Sequence, residues 1–223
     1  EVVILDNGST DGTATVITEC TAGDERFRVL RDDHGRGVAY AKNRGAHAAR
    51  GTALTFCDAD DVITPGWVAA MGEALRTSSY VTGPLLVDEL NSEWIRAPRT
   101  ASMTDRPMTF DELFEFASGC NLGVTRALYD DIGGFDPSVR HGEDIAFAVE
   151  VWQRGIDLRF VEEAAIQYRL RQTQLGSFRR AIDYGTTRPL IGERLRRAGL
   201  PAPDRRRGAR NWLWLIRHLP SLR

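Results

Sequence analysis

Hydrophobic and polar positions in the N-terminal part of the chain follow each other in a regular order. Residues 2–5 form an apolar run that stops at Asp6, and turn-forming residues at 7–12 precede a stretch with helical spacing at 13–20. A short β-branched run that ends in turn residues is typical of a strand, and apolar spacing of three and four is typical of a helix. The pattern therefore predicts a strand, a loop and a helix.

The same order repeats further along the chain. It predicts a strand at 27–33, an Ala-rich helix at 37–50, and a strand at 53–61 that runs into three aspartates. Alternating strands and helices indicate an α/β layer with a mostly parallel sheet, in which ligands bind at the carboxyl ends of the strands. Asp6 and the acids at 58–61 follow two such ends, so we expect one crevice to collect both.

The rest of the pattern completes a single domain without an internal repeat or a convincing linker. Its predicted elements are a helix from Pro65 to about residue 76, a strand at 80–87, a polar loop at 91–109, a helix at 110–118, a strand at 120–125, a helix at 142–155, a bent strand pair at 158–171 and an Arg-rich helical remainder. The prediction is one domain at 1–171 with a C-terminal helical appendage at 172–223.

Composition narrows the class of protein. With 223 residues, 42% of them hydrophobic, and a net charge of −2, the chain is long enough to bury a real core, which argues against disorder or a fibre. Its three cysteines are too few and too scattered for a disulfide framework or a zinc site. No secretory signal or bilayer-spanning apolar run is evident. We expect a cytoplasmic protein, and the start in strand-like sequence without Met predicts a truncated N-terminus.

The sharpest chemical motif is "FCDADDVITPGW" at 56–67. Asp58 and Asp60 lie two residues apart, so in strand geometry they would share one face and repel each other. Carboxylates grouped at a buried strand end are costly unless a cation neutralises them, and oxygen ligands suit Mg²⁺ or Mn²⁺, which often join carboxylates to substrate phosphates. The motif predicts a metal-diphosphate site, with a solvated acidic loop as the alternative.

A second pair of acids opens the predicted helix at 142–155. Glu143 and Asp144 fall in its first turn, where the helix dipole favours negative charge, so ordinary helix-start chemistry is one interpretation. The other is a carboxylate held in the crevice as a general base, because a positioned acid can accept the proton of an attacking hydroxyl. The four histidines show no metal spacing, and we assign them no role.

Five motifs in order carry a resemblance to a known family. They are "VVILDNGSTDGT", "GRGVAYAKNRGAHAARG", "LTFCDADDVITPGW", "GCNLGVTRALYDDIGGFD" and "HGEDIAFAVEVWQRG". Each is weak alone, but their order resembles the family 2 glycosyltransferases of GT-A fold over roughly residues 1–171. The resemblance implies an α/β GT-A fold with a Rossmann-like sheet flanked by helices. It also implies inverting transfer of a sugar from a nucleotide-diphosphate donor to a hydroxyl of a glycan, lipid-linked or small-molecule acceptor, assisted by Mn²⁺ or Mg²⁺.

The resemblance also implies roles for individual residues. The expected nucleotide contact is Asp6, Lys42 approaches the donor phosphates, and Asp58 faces the ribose or sugar. Asp60 is the expected metal ligand. The remaining assignments are Asp144 as catalytic base, Glu143 near the acceptor, Gly119 and Asn121 in the loop that borders the donor sugar, and Arg169 and Arg171 as diphosphate contacts or surface residues.

Three departures from the family pattern affect these expectations. The family's first strand is missing, which would leave an inner sheet position unpaired and predicts a fragment or impaired donor binding. Asn7 stands where many members have a second Asp, which predicts altered base recognition. Gln167 and Tyr168 stand where many members have a His near the metal, so the coordination there stays open.

The C-terminal segment is strongly basic, with fourteen Arg against three acids from Arg169 onward. Within 205–223, Trp212, Leu215, Ile216 and Leu219 have helical spacing beside Arg residues. This predicts either an interfacial helix on anionic lipid at the inner face of the membrane, or a helix packed on the catalytic domain. We expect no nucleic-acid partner. The resemblance implies a bacterial enzyme that acts on a cell-envelope or secondary-metabolite acceptor.

Three other functions match parts of the sequence. The Asp-x-Asp at Asp58 resembles haloacid-dehalogenase-type phosphatases, although their later Ser/Thr and Lys landmarks are not evident. A sugar nucleotidyltransferase shares the sheet type but usually begins with a Gly- and Arg-rich phosphate loop. A non-catalytic nucleotide-sugar binding module agrees with the missing strand, whereas the retained Asp60 and Asp144 argue against it.

Overall fold

A computed structural model describes residues 1–96 and 104–200. The helices are α1 (Thr13–Thr21), α2 (Val38–Ala48), α3 (Trp67–Ala74), α4 (Glu93–Arg96), α5 (Arg126–Ile132), α6 (Glu143–Gln153) and α7 (Gln174–Arg197). The strands are β1 (Val2–Asp6), β2 (Phe27–Arg31), β3 (Ala53–Phe56), β4 (Val62–Ile63), β5 (Tyr80–Thr82), β6 (Leu85–Leu86), β7 (Met108–Phe110), β8 (Phe114–Phe116), β9 (Leu122–Thr125), β10 (Arg159–Phe160) and β11 (Ile166–Gln167). The alternation predicted for the first sixty residues is confirmed.

The central sheet has four strands in the order β10-β5-β9-β3. β10 runs parallel to β5, and β9 runs antiparallel to both of its neighbours, so β3, β5 and β10 point the same way. β1 and β2 form a separate parallel ladder, in register from Val2 opposite Phe27 to Asp6 opposite Arg31. The chain turns after Asp6 because polar turn residues replace the apolar run there.

The main core lies between the central sheet and helices α2, α5 and α6. Four buried aromatic residues form its centre, with the Phe135 and Phe147 ring centroids 5.0 Å apart and Tyr80 and Tyr129 beside them. Truncating a buried Phe to Ala costs about 3–5 kcal/mol. Phe147 lies three residues after Asp144 on α6, so the packing of this ring also fixes the start of that helix.

Two predicted elements were wrong because contacts distant in sequence outweigh the local pattern. The predicted single strand at 80–87 is broken at Gly83, where an added Cβ would lie 2.0 Å from the Ala164 carbonyl oxygen, and its two halves join different sheets. The predicted helix at 110–118 is the hairpin β7–β8 instead. Phe114 and Phe116 are both buried and two residues apart, which is strand periodicity.

The C-terminal helix α7 packs on this hairpin and on α6 through two fully buried residues, Ile191 and Leu195. Its first turn is capped by Thr173, whose hydroxyl accepts a hydrogen bond from the Gly176 N–H. The predicted interfacial segment at 205–223 lies outside the described residues. Within the ranges described, no helix is long and apolar enough to cross a membrane.

Candidate active site

Three aspartates group at the carboxyl end of β3. The strand ends at Phe56, and the backbone then turns, with the Asp61 N–H donating to the Asp58 carbonyl oxygen at 3.2 Å. Asp58, Asp60 and Asp61 each offer a carboxylate oxygen within 4.8 Å of the others. The strand predicted at 53–61 therefore ends earlier, at Phe56, and the turn rather than a strand face brings the acids together.

Asp61 is the member of this group that the sequence interpretation did not select. Its Oδ1 accepts a hydrogen bond from the Arg169 N–H at 2.7 Å, whereas its Oδ2 is buried and has no hydrogen-bond partner among the described residues. Burial raises the pKa of the Asp61 carboxyl to about 6. The sequence feature that could have identified Asp61 is its position directly after the Asp-x-Asp pair.

This acidic group matches the requirements of a divalent cation. Mg²⁺ and Mn²⁺ take hard oxygen ligands, and several carboxylates at one point repel each other until a cation neutralises them. The buried Asp61 Oδ2 without a partner is a ligand atom of the required type. Asp58, Asp60 and Asp61 are thus the residues that could hold the metal.

A second pair of acids lies at the start of α6. Gly142 adopts a left-handed conformation with φ 79°, which a glycine allows at little cost, and the helix begins with Glu143 and Asp144, both buried. The Asp144 Oδ2 accepts a hydrogen bond from the Gly119 N–H at 2.9 Å. Burial and the neighbouring charge of Glu143 raise the pKa of the Asp144 carboxyl, although Lys42 and the hydrogen bonds oppose them.

Lys42 connects the two acidic groups. It projects from α2, its side chain is 10% exposed, and its Nζ lies 3.1 Å from Glu143 Oε1 and 3.4 Å from Asp58 Oδ1. Burial by itself would lower the pKa of this ammonium, but the charges of Asp58, Glu143 and Asp144 raise it above its usual value. The ammonium therefore stays charged and holds the two acidic groups side by side.

Gly119 gives this cluster the space that it needs. A Cβ at this position would lie 2.4 Å from Lys42 Nζ and 3.2 Å from Glu143 Oε1. The same residue donates its N–H to Asp144. The structure thus brings five of the predicted site residues together at one point, namely Lys42, Asp58, Gly119, Glu143 and Asp144.

Asn121, two residues further along this loop, is fully buried and holds the scaffold together. Its Oδ1 accepts from Trp67 Nε1 at 2.8 Å, and its Nδ2 donates to the carbonyl oxygens of Ala164 and Pro84 at 2.9 and 3.2 Å. Its side chain is occupied by these contacts and has no exposed surface. Asn121 therefore fixes the position of this loop through contacts inside the protein core.

Asp6 lies at the end of β1 and is buried. Its Oδ1 accepts from the Ser9 N–H at 2.9 Å, its Oδ2 is buried without a hydrogen-bond partner among the described residues, and Arg31 is 4.0 Å away. Hydrogen bonds from Ser9 hold the pKa of the Asp6 carboxyl below its usual value. Among the described residues, no hydrogen bond or ion pair joins Asp6 directly to Lys42 or Asp144.

A partly buried hydrogen-bond network nevertheless connects this strand end to α2. Asn7 donates to the backbone carbonyl oxygen of Asp32 at 2.8 Å, and the Asp32 carboxylate accepts from Tyr40 and Arg44 on α2 at 2.9 and 2.6 Å. Sequence interpretation did not select Asp32, which lies within the strand predicted at 27–33 and directly follows the observed β2. The network sets the position of the helix that carries Lys42.

The two predicted arginines differ in position. Arg169 donates its Nε to the Asp60 carbonyl oxygen at 2.9 Å and its N–H to Asp61, so it lies beside the acidic group. Arg171 is exposed. Gln167 is buried, and its side-chain oxygen accepts a hydrogen bond from the Glu89 N–H at 3.3 Å.

Sequence comparisons identify relatives of this chain. Residues 1–133 match the model of glycosyl transferase family 2. Succinoglycan biosynthesis protein ExoU of Rhizobium meliloti is 38% identical over 204 residues, which cover 82% of this chain and 57% of that protein. A putative teichuronic acid biosynthesis glycosyltransferase of Bacillus subtilis, TuaG, is 25% identical over 79% of this chain and 70% of its own length. Glycosyltransferase GlyG of Streptococcus pneumoniae matches over only 25% of its length.

Solved structures show the same fold at low sequence identity. Staphylococcus aureus TarS has a TM-score of 0.61 at 18% identity, covering 87% of this chain and 34% of that one. The mannosyltransferase PcManGT of Pyrobaculum calidifontis, solved with GDP-Man and Mn²⁺, has a TM-score of 0.60 at 20% identity, covering 80% of this chain and 50% of that one. Since its family model matches more than half of the chain, the protein belongs to glycosyl transferase family 2, and it has the GT-A fold.

Proposed function

We propose that the protein transfers a sugar from a nucleotide-diphosphate donor to an acceptor hydroxyl with inversion at the anomeric carbon. One observation carries this proposal. Asp58 and Glu143 both contact the Lys42 ammonium, and Asp144 lies beside them. A group that can bind a metal-diphosphate and a group that can accept a proton are thereby adjacent. Such a reaction requires both.

Asp144 acts as the general base in this proposal. The acceptor oxygen attacks the anomeric carbon, its proton passes to Asp144, and the bond to the donor phosphate breaks with its electron pair leaving on the nucleoside diphosphate. A raised pKa makes this carboxylate a stronger base than an exposed aspartate while leaving it ionised at neutral pH. The Gly119 N–H holds one of its oxygens in place. We propose that Glu143 lies near the acceptor.

Asp58, Asp60 and Asp61 hold Mn²⁺ or Mg²⁺ in the proposal. When bound, the cation stabilises negative charge that develops on the leaving diphosphate. Asp58 also stands at the Lys42 ammonium, which leaves its second oxygen for the cation or the donor sugar. Arg169 donates hydrogen bonds to the turn that carries the three aspartates, and we propose that it lies next to the diphosphate. The exposed Arg171 is the weaker candidate.

Donor recognition is proposed to begin at Asp6. Its buried Oδ2 is an acceptor without a hydrogen-bond partner among the described residues, which is the kind of atom that binds a ribose hydroxyl or a base N–H. TarS has been solved with UDP-GlcNAc and PcManGT with GDP-Man. Those ligands support a nucleotide-sugar donor of the same class for this chain.

The acceptor is proposed to be a growing bacterial polysaccharide. Relatives whose names refer to succinoglycan and teichuronic acid biosynthesis support a hydroxyl of a glycan as the acceptor. We propose that the transfer takes place at the cytoplasmic side of the membrane. In this proposal residues 1–171 form the catalytic domain, and 172–223 form the C-terminal segment that packs on it or meets the membrane surface.

A panel of UDP and GDP sugars tests the proposal. We expect one donor to bind and to transfer to a hydroxyl acceptor only with Mn²⁺ or Mg²⁺, and NMR of the product to show the opposite anomeric configuration from the donor. Asp144→Asn should bind the donor and fail to transfer, whereas Asp60→Ala should lose metal-dependent donor binding. Full turnover in both variants would contradict the site, and donor binding without transfer to any acceptor would favour a non-catalytic binding module.

A further inference from the structure

Three large apolar side chains on the first half of α7 are exposed to solvent. Leu175, Phe178 and Ile182 are 58%, 54% and 50% exposed. They follow one another at spacings of three and four residues, so they lie along one face of the helix. A single exposed apolar side chain is ordinary on a protein surface, whereas a contiguous patch marks a site of interaction. We call these three residues the apolar stripe.

The helix is anchored to the domain on its other side. Ile191 and Leu195, in the second half of α7, are buried among residues of α6 and of the hairpin β7–β8. At about 3.6 residues per turn, Ile191 lies about 180° around the helix axis from Ile182. The apolar stripe therefore points away from the core that holds α7 in place.

Arginines flank the apolar stripe. The segment 169–182 contains no acid and four arginines, namely Arg169, Arg171, Arg179 and Arg180. Arg171 and Arg179 are exposed, and within residues 1–96 and 104–200 no carboxylate forms an ion pair with either of them. Exposed apolar side chains beside unpaired arginines are typical of a helix that lies in the interface of a membrane, where anionic headgroups attract the basic side chains.

The same charges argue against two other occupants of the apolar stripe. A second copy of the chain, docked through the same face, would bring two sets of arginines against each other. Residues 201–223 carry six arginines and one acid in their sequence, so they are repelled as well. An anionic lipid surface, in contrast, is complementary both to the apolar side chains and to the arginines.

The apolar stripe ends beside the candidate active site. Asp183, the next residue along α7, has its Oδ2 3.9 Å from His141 Nε2, and the ring of Tyr184 lies 6.3 Å from the ring of His141. His141 precedes the proposed base, Asp144, by three residues. A membrane in contact with the apolar stripe is therefore close to the part of the molecule at which an acceptor meets that base.

We propose that the first half of α7 lies on an anionic lipid membrane, with Leu175, Phe178 and Ile182 inserted below the headgroups and Arg171 and Arg179 at the lipid phosphates. This proposal rests on the membrane-side location proposed above, but it does not require sugar transfer. Such a contact brings a lipid-linked acceptor and the active site to the same surface.

Flotation of the full chain with lipid vesicles tests the proposal. We expect binding to vesicles that contain phosphatidylglycerol and phosphatidylcholine, and at least about 10-fold weaker binding to vesicles of phosphatidylcholine alone. Binding to the anionic vesicles should weaken as the salt concentration rises, because salt screens the attraction between the arginines and the lipid phosphates.

Two variants separate the apolar and the charged contributions. Changing Leu175, Phe178 and Ile182 together to Gln should lower vesicle affinity by about 10-fold or more, because the apolar side chains that insert are lost. The matched control changes Val16 and Val68 to Gln, which are 56% and 64% exposed on other helices, and should bind like the unchanged protein.

The charge variant combines Arg171→Gln and Arg179→Gln. We expect its affinity for anionic vesicles to fall by about 10-fold or more at low salt. Its control, Arg26→Gln with Arg36→Gln, removes two exposed positive charges from another part of the surface and should bind normally. Circular dichroism and thermal unfolding identify any variant that fails to fold, in which case the single change Phe178→Gln decides.

Activity distinguishes this proposal from the proposed reaction. The triple Gln variant of the apolar stripe should raise the KM for an acceptor embedded in vesicles by about 10-fold, and should leave the KM for a water-soluble acceptor of the same sugar unchanged. Absence of sugar transfer together with vesicle binding that depends on the apolar stripe would contradict the transferase function and leave the membrane contact standing.

Three results would overturn the membrane contact. One is equal vesicle affinity in the triple Gln variant and in the unchanged protein. Another is a failure of the unchanged protein to bind anionic vesicles at low salt. The third is a dimer in light scattering that the triple Gln variant converts to a monomer, because the apolar stripe would then be covered by a second copy of the chain.

Discussion

The ammonium of Lys42 lies 3.1 Å from the carboxylate of Glu143, which follows it by 101 positions in the chain. The same ammonium reaches Asp58 at 3.4 Å, so one side chain on α2 joins the turn after β3 to the start of α6. Because the Lys42 and Glu143 side chains are both 10% exposed, each charge depends on the other for compensation.

Removal of the Lys42 ammonium should destabilise the fold. In Lys42→Met, Glu143 keeps a buried charge without its partner, and we expect the free energy of unfolding in urea to fall by about 3 kcal/mol. Arg76→Met is the matched control, since it breaks an exposed pair with Glu73 and should change stability by less than about 0.5 kcal/mol. Equal effects from the two variants would contradict a buried role for Lys42.

A methyl group at Gly119 should disturb catalysis more than folding. In Gly119→Ala the new Cβ would lie 2.4 Å from Lys42 Nζ, so the flexible lysine must shift and the contacts of Glu143 change with it. We expect kcat to fall by about 10-fold or more, as geometric errors near 1 Å cost in active sites. Gly45 lies on α2, and an added Cβ there would meet no atom within 4 Å. Gly45→Ala should therefore keep activity and gain about 0.5–1 kcal/mol of stability.

The pH dependence of activity should reflect Asp144. Since burial raises its pKa to about 6, the carboxylate protonates as pH falls through that value, and kcat should drop on the acid side at a higher pH than an exposed aspartate would give. The contribution of Asp144 to the free energy of unfolding changes with pH in the opposite direction. The folded state binds the proton more tightly than the unfolded state, so Asp144 favours folding more as pH falls from 7 towards 5.

Denaturation at several pH values measures the stability part of this prediction, and initial rates measure the activity part. Asp144→Asn should remove the contribution of this group to the pH dependence of unfolding and should be inactive at every pH. An acid limb of kcat near the ordinary aspartate value of about 4 would contradict the assignment of Asp144 as base.

Asp61 should contribute to metal affinity although the sequence interpretation passed over it. Asp61→Asn keeps the shape and the acceptor for the Arg169 N–H but removes a buried charge, so we expect Mn²⁺ affinity to fall by about 10-fold in titrations followed by electron paramagnetic resonance. The metal-free variant should be more stable than the unchanged protein at pH 8, where the native carboxylate is ionised.

Asp33→Asn controls for a simple loss of negative charge, because the Asp33 side chain is 72% exposed and belongs to another loop. It should leave Mn²⁺ affinity and stability unchanged. Equal Mn²⁺ affinity in Asp61→Asn and in the unchanged protein would show that Asp61 is only a structural acid.

Local pattern was a good guide where one face of an element is apolar over several residues. The helices at α1, α2, α3 and α6 and the strands at β1, β2, β3 and β9 were predicted near their observed positions, and family 2 membership was identified from the order of five motifs. Local pattern misled at the hairpin β7–β8. There, three buried phenylalanines point into a core formed with α6 and α7, which lie far along the chain.

The acids at the strand ends and at the start of α6 could be read from the chain alone, because turn residues and apolar periodicity mark where each element stops. The spatial contacts between these acids and other residues could not be predicted in this way. The partnership of Lys42 with Glu143, the clearance at Gly119 and the buried oxygen of Asp61 depend on packing between elements up to a hundred residues apart. Burial and distance set charge and pKa, and both exist only after the chain has folded.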